Sequence, residues 1–346
     1  MAGSEPVILV DAYPRPIDLI FSPEDKARLE KLGRVIWYDG EPAPDALIEE
    51  HLPETVVLIG QTALPKERLD RAPKLRLIAN VESNFLPNVD YAECFRRNIY
   101  VISTGPIFAQ PVAEMALGMA IAAARRMVEA DAALRRGDES LYGERDNYDS
   151  FLLSGKPLGI LGFGNLGRAL LPLLRPFSDE IMVHDPWIHA SVLRAARVEP
   201  VGLDELFARS KVLFILAATT TENQGAIGAR HFGAMHKGSV VVLISRAGVV
   251  DFPALIEAAT SGHIRAAIDV FPREPIPQGD PVRQTPNTVL AAHRAGNVPE
   301  IWTGMGEMVV DDIELVLRGL PPQRCQRAVL ETVTRLRSKP VGQEDK

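Results

Sequence analysis

A chain of 346 residues, 46% hydrophobic and 24% charged, is long enough for two packed cores, since single cores rarely grow past about 250–300 residues. Its 38 basic and 45 acidic side chains leave a formal charge of -7, so there is no broad basic field and nucleic acid is disfavoured as the main partner. Cys94 and Cys325 are the only cysteines, which suggests neither a disulfide framework nor a thiolate metal centre, and no metal is expected.

The opening MAGSEPVILV lacks a basic stretch leading into an apolar one with a small-residue cleavage site, so a cytoplasmic location is expected. Five short apolar runs then recur: VILVD at 7–11, RVIWY at 34–38, TVVLIG at 55–60, LRLIA at 75–79 and NIYVI at 98–102. Their β-branched content and near-continuous apolarity suit strands covered on both faces. Between the first two, SPEDKARLEKLG reads as a helix capped by Ser22, with Glu24 and Asp25 in its first turn and Gly33 as its stop. Strand, helix and strand again imply a parallel α/β sheet.

A long helix is predicted over 111–136, with Pro111 in its first turn and Gly137 beyond its end. Its apolar part, interrupted by Glu114, runs for about a dozen residues and falls short of the ~20 needed to span a membrane. This helix leaves the first lobe, so a domain boundary is expected near residue 108, and a polar loop follows at 137–150. A second series of strands is predicted at 157–161, 180–184, 212–216, 239–244, 265–269 and 288–291, separated by helical stretches such as GLDELFAR and DFPALIEAA. A helix at 299–318 returns the chain to the first lobe. QRAVLETVTRLRS reads as one more helix, and the residues after Lys339 as a disordered tail.

The sharpest local feature is PLGILGFGNLGRALLPLL, where Gly162, Gly164 and Gly167 give G-x-G-x-x-G spacing directly after a predicted strand. The first glycine suits the tight turn, the second removes a Cβ from the path of a pyrophosphate, and the third lets the helix approach the sheet. Phe163, Asn165 and Leu166 complete the turn, and backbone N–H groups at the helix start favour phosphate oxygens. Alone the glycine string is a weak signal, since glycines also serve ordinary turns. Asp185 ends the next strand, close to the ~20-residue offset of a carboxylate that accepts from adenosine ribose hydroxyls. It would repel a 2′-phosphate, and PWIHA after it offers no Lys or Arg, so NAD is expected over NADP.

Hydride transfer to a carbonyl also needs a proton donor and a positive group near the developing alkoxide. Arg246, Glu274 and His293 each follow a predicted strand of the second series, at the edge where open α/β sheets bind ligands. An imidazole exchanges protons near neutral pH, a carboxylate beside it favours and orients imidazolium, and a guanidinium suits a carbonyl oxygen or a planar carboxylate. Each also has a bland reading: a surface ion pair for Arg246, a solvated turn for Glu274, a structural histidine for His293. Local sequence does not join the three.

The strings STGPIFAQPVAE, GILGFGNLGRAL, HDPW, SRAGVVD, AAIDVFPREP and NTVLAAHRAG, in this order, resemble the D-isomer-specific 2-hydroxyacid dehydrogenase family over roughly residues 50–320. The resemblance implies two parallel-sheet lobes: a discontinuous, flavodoxin-like substrate domain of 1–107 and 297–346, and a Rossmann-type NAD-binding domain of 108–296. It places Arg246, Glu274 and His293 in the active site, with Thr220, Ser245, Arg246, Asp269 and His293 also beside the dinucleotide and Asp269 near the nicotinamide amide. Substrate, a small 2-oxo or 2-hydroxy acid, would meet Glu82, Ser83 and Asn84 together with Arg246 and His293. A homodimer using the long helix is implied as well.

The chain departs from the family pattern at several positions. Glu82, Ser83 and Asn84 stand where small glycines are common, and Glu82 would oppose a substrate carboxylate unless it points away. Ala247, Leu243 and Arg294 replace a usual glycine, a frequent asparagine and a usual apolar residue, and AATTTEN lacks a common histidine and proline. Glutamate at 274, rather than glutamine, argues against formate as substrate. A reading from another class, a catalytically weak NAD(H)-sensing interaction protein resembling a corepressor, is disfavoured by retention of all three reactive side chains.

Overall fold

The computed structural model describes residues 5–143 and 149–335. The chain divides into two compact units, Met1–Phe108 with Val298–Lys346, and Ala109–Asn297.

The first unit holds strands β1 (Val7–Asp11), β2 (Arg34–Tyr38), β3 (Thr55–Gly60), β4 (Leu77–Asn80), β5 (Tyr100–Ser103) and, late in the chain, β13 (Gln326–Arg327). Their order is β13-β5-β4-β3-β1-β2, parallel except for β13. Strands β1 to β5 thus follow the flavodoxin-like order, in which the chain reverses direction between β1 and β3 and leaves a crevice at their carboxyl ends. The helix Pro23–Leu32 starts in a capping box: Ser22 Oγ accepts from Asp25 N–H at 3.1 Å, and the Asp25 carboxylate accepts from Ser22 N–H at 3.3 Å. Gly33 is not a left-handed stop, for its φ is 169°; a Cβ there would lie 2.2 Å from the Pro6 carbonyl oxygen, so close backbone approach is the reason for glycine.

The second unit holds β6 (Leu158–Leu161), β7 (Ile181–His184), β8 (Glu199–Pro200), β9 (Val212–Ile215), β10 (Ser239–Leu243), β11 (Ile264–Ile268) and β12 (Thr288–Leu290). All are parallel, in the order β12-β11-β10-β9-β6-β7-β8, which is a Rossmann-type sheet whose direction reverses between β6 and β9. Every residue of β6, β9, β10 and β11 is buried, which explains their unbroken apolar runs.

Three expectations need correction. The predicted helix at 111–136 is two, Ala109–Ala124 and Met127–Arg135, because Arg126 adopts a left-handed φ of 52°. Buried Arg265 on β11 donates to the carbonyls of Ala123 and Ala124 at 3.2 and 3.1 Å, satisfying the end of the first helix where the break falls. The run Gly105–Ala124, 20 residues with mean hydropathy 1.5, is long and apolar enough to cross a membrane by length and composition, contrary to the shorter span expected. Its apolarity has another cause: Val112, Ala116, Met119, Ala120 and Ala123 are buried in one cluster with Ile160, Phe214 and Val242. Lastly, the described part of the expected helix at 326–338 is strand β13 followed by the short helix Leu330–Val333, and residues 336–338 lie outside the described residues. The buried Asp312 carboxylate accepts from the N–H groups of Gln323, Arg324 and Cys325, which turns the chain antiparallel to β5. The predicted tail after Lys339 and part of the 137–150 loop lie outside the described residues.

Candidate active site

The glycine-rich turn follows β6, at the reversal point of the second sheet. Gly162 has φ 94°, and a Cβ on it would lie 2.7 Å from Ala217 Cα, so both backbone conformation and the strand-end neighbour require glycine. At Gly167 a Cβ would meet the Gly162 carbonyl oxygen at 2.6 Å, which is how the helix Asn165–Leu174 is able to lie close against the turn. Gly164 is different: among the described residues an added Cβ would find nothing within 4 Å. It is also the N-cap of that helix and offers no capping side chain. An open approach to the start of a helix after β6, with no N-cap side chain in the way, fits a dinucleotide pyrophosphate.

Asp185, just past β7, reaches back to this turn. One carboxylate oxygen accepts from Phe163 N–H at 2.7 Å and the other from Trp187 N–H at 2.9 Å, leaving further lone pairs on a half-buried carboxylate. Ser245, buried at the end of β10, donates to the carbonyl of Ala217 at 2.8 Å and ties β10 to β9. Thr220 is buried too, with its hydroxyl accepting from Glu222 and Asn223 N–H groups, both at 3.2 Å. Its observed work is to hold the 220–223 turn.

Arg246, Glu274 and His293 follow β10, β11 and β12 and gather at the carboxyl edge of one sheet. The His293 Nδ1 to Glu274 Oε2 distance is 2.5 Å, and Glu274 Oε1 accepts from Phe271 N–H at 2.8 Å. Burial by itself would raise the Glu274 carboxyl; the His293 ring, the Phe271 N–H and the charges of His293 and Arg246 outweigh it and hold Glu274 below the usual carboxylate range. An ionised carboxylate can only accept, so Nδ1 carries a proton and Nε2, on a half-exposed side chain, is the nitrogen open to substrate. Arg246 Nη1 donates to the Ser245 carbonyl at 2.8 Å, which anchors the guanidinium at the end of β10.

His293 has φ 51°, a backbone conformation that non-glycine residues seldom adopt. Asp269 holds it there: its carbonyl accepts from His293 N–H at 2.9 Å, and its buried carboxylate accepts from Arg294 and Ala295 N–H at 2.9 and 3.2 Å. Expected beside nicotinamide, Asp269 has both carboxylate oxygens engaged by the turn that presents the imidazole. A separate apolar cleft of about 590 Å³, lined by Phe252, Ile256, Phe271 and Val282, lies behind the Glu274 turn and includes neither Arg246 nor His293.

Glu82, Ser83 and Asn84, expected to meet substrate, lie in the first unit. Glu82 is buried, and its carboxylate accepts from Arg15 at 2.7 Å and Gln61 at 3.1 Å; Asn84 donates to Ser83 Oγ at 3.3 Å. Arg15 and Gln61 were missed by the sequence reading. The only available signal was their placement just beyond the ends of β1 and β3.

Because Glu274 is held low by contacts that exist only in the fold, linkage gives a definite pH dependence. Its contribution to stability is present above the carboxyl's ordinary range and is lost as pH falls through its depressed folded value. Glu274→Gln is expected to flatten the acid limb of the stability profile relative to the parent chain. Thermal unfolding followed across the acid range checks this, and parallel profiles would contradict it.

These elements define a dinucleotide-binding α/β protein of the oxidoreductase class. The D-isomer specific 2-hydroxyacid dehydrogenase, NAD binding domain profile matches residues 117–295. A glyoxylate reductase of Korarchaeum cryptofilum is 31% identical over 300 residues, covering 86% of this chain and 90% of that protein. A D-3-phosphoglycerate dehydrogenase of Methanocaldococcus jannaschii is 29% identical across 84% of this chain, which spans only 55% of that longer protein. The crystal structure of a phosphoglycerate oxidoreductase from Rhizobium etli superposes with a TM-score of 0.84 at 44% identity, covering 94% of this chain and 99% of that one. The chain belongs to the D-isomer specific 2-hydroxyacid dehydrogenase family.

Proposed function

We propose that this chain is an NAD(H)-dependent oxidoreductase that interconverts a small 2-hydroxy acid and its 2-oxo acid, with His293 as acid and base. The observation that carries the reading is the 2.5 Å His293–Glu274 pair at the sheet edge that also bears Arg246. Reduced nicotinamide, when bound, supplies the hydride that C2 of the oxo acid accepts. His293 then gives the Nε2 proton to the carbonyl oxygen, while Glu274 keeps the ring oriented. Arg246 supplies positive charge for the carbonyl oxygen and the acid group. Oxidation of the hydroxy acid reverses each transfer.

Glu82, Ser83 and Asn84 are assigned to the acid, and Thr220, Ser245 and Asp269 to support of the dinucleotide site. A homodimer in the cytoplasm completes the reading, supported by exposed Met127, Val128 and Leu134 on the helix Met127–Arg135.

The test is a panel of 2-oxo acids, from glyoxylate to branched, aromatic and phosphorylated ones, followed by cofactor absorbance with NADH and NADPH. NADH-dependent turnover of at least one acid is expected, and saturable NADH binding with no turnover would defeat the reading. Asp185→Asn keeps an acceptor for Phe163 N–H but removes the charge facing a 2′-phosphate. The NADH-over-NADPH preference in kcat/KM is expected to fall by about tenfold, the scale of one partly screened charge. An unchanged ratio would remove Asp185 from cofactor choice.

A further inference from the structure

Four residues converge at the carboxyl edge of the first sheet: Arg15 beyond β1, Gln61 beyond β3, Glu82 beyond β4 and Thr104 beyond β5. Open parallel sheets bind ligands at this edge, beside the reversal between β1 and β3. A carboxylate at such a place opposes any anionic ligand, yet Glu82 is buried there with only 5% of its surface exposed. Arg15 meets that problem with both arms. Its Nη2 donates to Glu82 Oε1 at 2.7 Å, and its Nε donates to the Val81 carbonyl at 3.1 Å. The guanidinium stacks 4.7 Å from the centre of the Trp302 ring, and Gln61 Nε2 adds a second donor to the same Glu82 oxygen at 3.1 Å. Thr104 fixes the main chain: its N–H and hydroxyl both donate to the Glu82 carbonyl at 3.0 Å. Position 82 is therefore held from backbone and side chain, with its charge matched by the part-buried guanidinium of Arg15.

We propose that Arg15 is a specificity-determining positioning residue, whose pairing with Glu82 neutralises the 82–84 loop and admits an anionic 2-oxo acid there. The assignment rests on the oxidoreductase reading above. Arg15 acts through Glu82 rather than on the reacting atoms. Its removal therefore weakens acid binding without disabling proton or hydride transfer. Unpaired, Glu82 presents a poorly solvated negative charge to the incoming carboxylate.

Steady-state kinetics on the full chain with the best acid of the panel tests this. Arg15→Met keeps the apolar stem over Trp302 and removes the charge; KM for the acid is expected to rise by about tenfold or more, with kcat within about threefold. Added salt should narrow the KM gap, because screening weakens the repulsion. Combining Glu82→Gln with Arg15→Met removes the stranded charge and should lower KM at least about threefold below that of Arg15→Met alone. A merely structural Arg15 would show no such rescue, so equal KM values in single and double variants overturn the proposal.

If Arg15→Met does not fold, Glu82→Gln alone decides, since it leaves Arg15 unmatched and should lower KM for an anion; an unchanged or raised KM overturns the assignment. Absence of turnover by the parent chain on every acid defeats the functional reading and this assignment together. Turnover without rescue defeats only the role of Arg15.

Discussion

Replacing His293 with alanine is expected to lower kcat by about 10²- to 10⁴-fold while NADH still binds, the range over which a positioned acid or base acts. An imidazole nitrogen can give or take a proton, and the Nδ1 of His293 is already committed to Glu274 at 2.5 Å, which directs Nε2 to the reaction. Alanine also disturbs the left-handed backbone at φ 51°, so a second variant separates chemistry from conformation. Asparagine tolerates that conformation well. His293→Asn should therefore keep the turn that Asp269 secures and still lose turnover to a similar degree. Retention of kcat within threefold in both variants would dismiss His293 as the acid–base group. The competing interaction-protein reading makes the opposite forecast, with the protein's biological partner held as firmly by either variant as by the parent chain.

Much of the fold was legible because period and burial coincide. The runs 7–11 and 55–60 are strands with the expected limits, since fully or mostly buried parallel strands read as continuous apolar stretches; the run 34–38 also keeps its limits, but as a part-buried edge strand. Ser22 and Asp25 announced a helix start through a local hydrogen-bond pattern that needs no tertiary context. What escaped depended on distant partners. The break at Arg126 coincides with buried Arg265, more than a hundred residues away, taking the carbonyls of Ala123 and Ala124. Two-residue β13 exists because Asp312 bends the chain toward β5, and so short a strand carries no periodic signal.

The same distinction divides the candidate site. The glycine turn with Asp185 could be read from spacing, because both follow strands of one βαβ unit. The trio of Arg246, Glu274 and His293 came together only through resemblance, being spread over three strand ends. Glu82 stood out as awkward beside a carboxylate, but its partners lay after β1 and β3, and nothing local linked Arg15 or Gln61 to it.

One methyl group placed at two nearby glycines is expected to give opposite outcomes. At Gly162, φ 94° strains any L-residue, and the new Cβ would sit 2.7 Å from both the nitrogen and Cα of Ala217. Neither atom can swing away as a flexible side chain would. Backbone strain of about 1–3 kcal/mol and a similar cost for forced displacement give roughly 2–6 kcal/mol of destabilisation for Gly162→Ala. In a domain of this size each kcal/mol moves Tm by about 2–4 °C, so thermal unfolding should register a fall of roughly 5–20 °C. At Gly164 the backbone is ordinary for an alanine in φ, at -74°, and the added Cβ meets no atom of the described residues within 4 Å. Gly164→Ala should therefore stay within about 0.5 kcal/mol of the parent in stability. Its Cβ instead enters the approach of the pyrophosphate, and NADH affinity is expected to fall by about 10- to 100-fold in a fluorescence titration. A stable Gly164→Ala that binds NADH undiminished would mean that the open space at the helix start is not where the dinucleotide lies, and with that the cofactor assignment of the whole turn would fail.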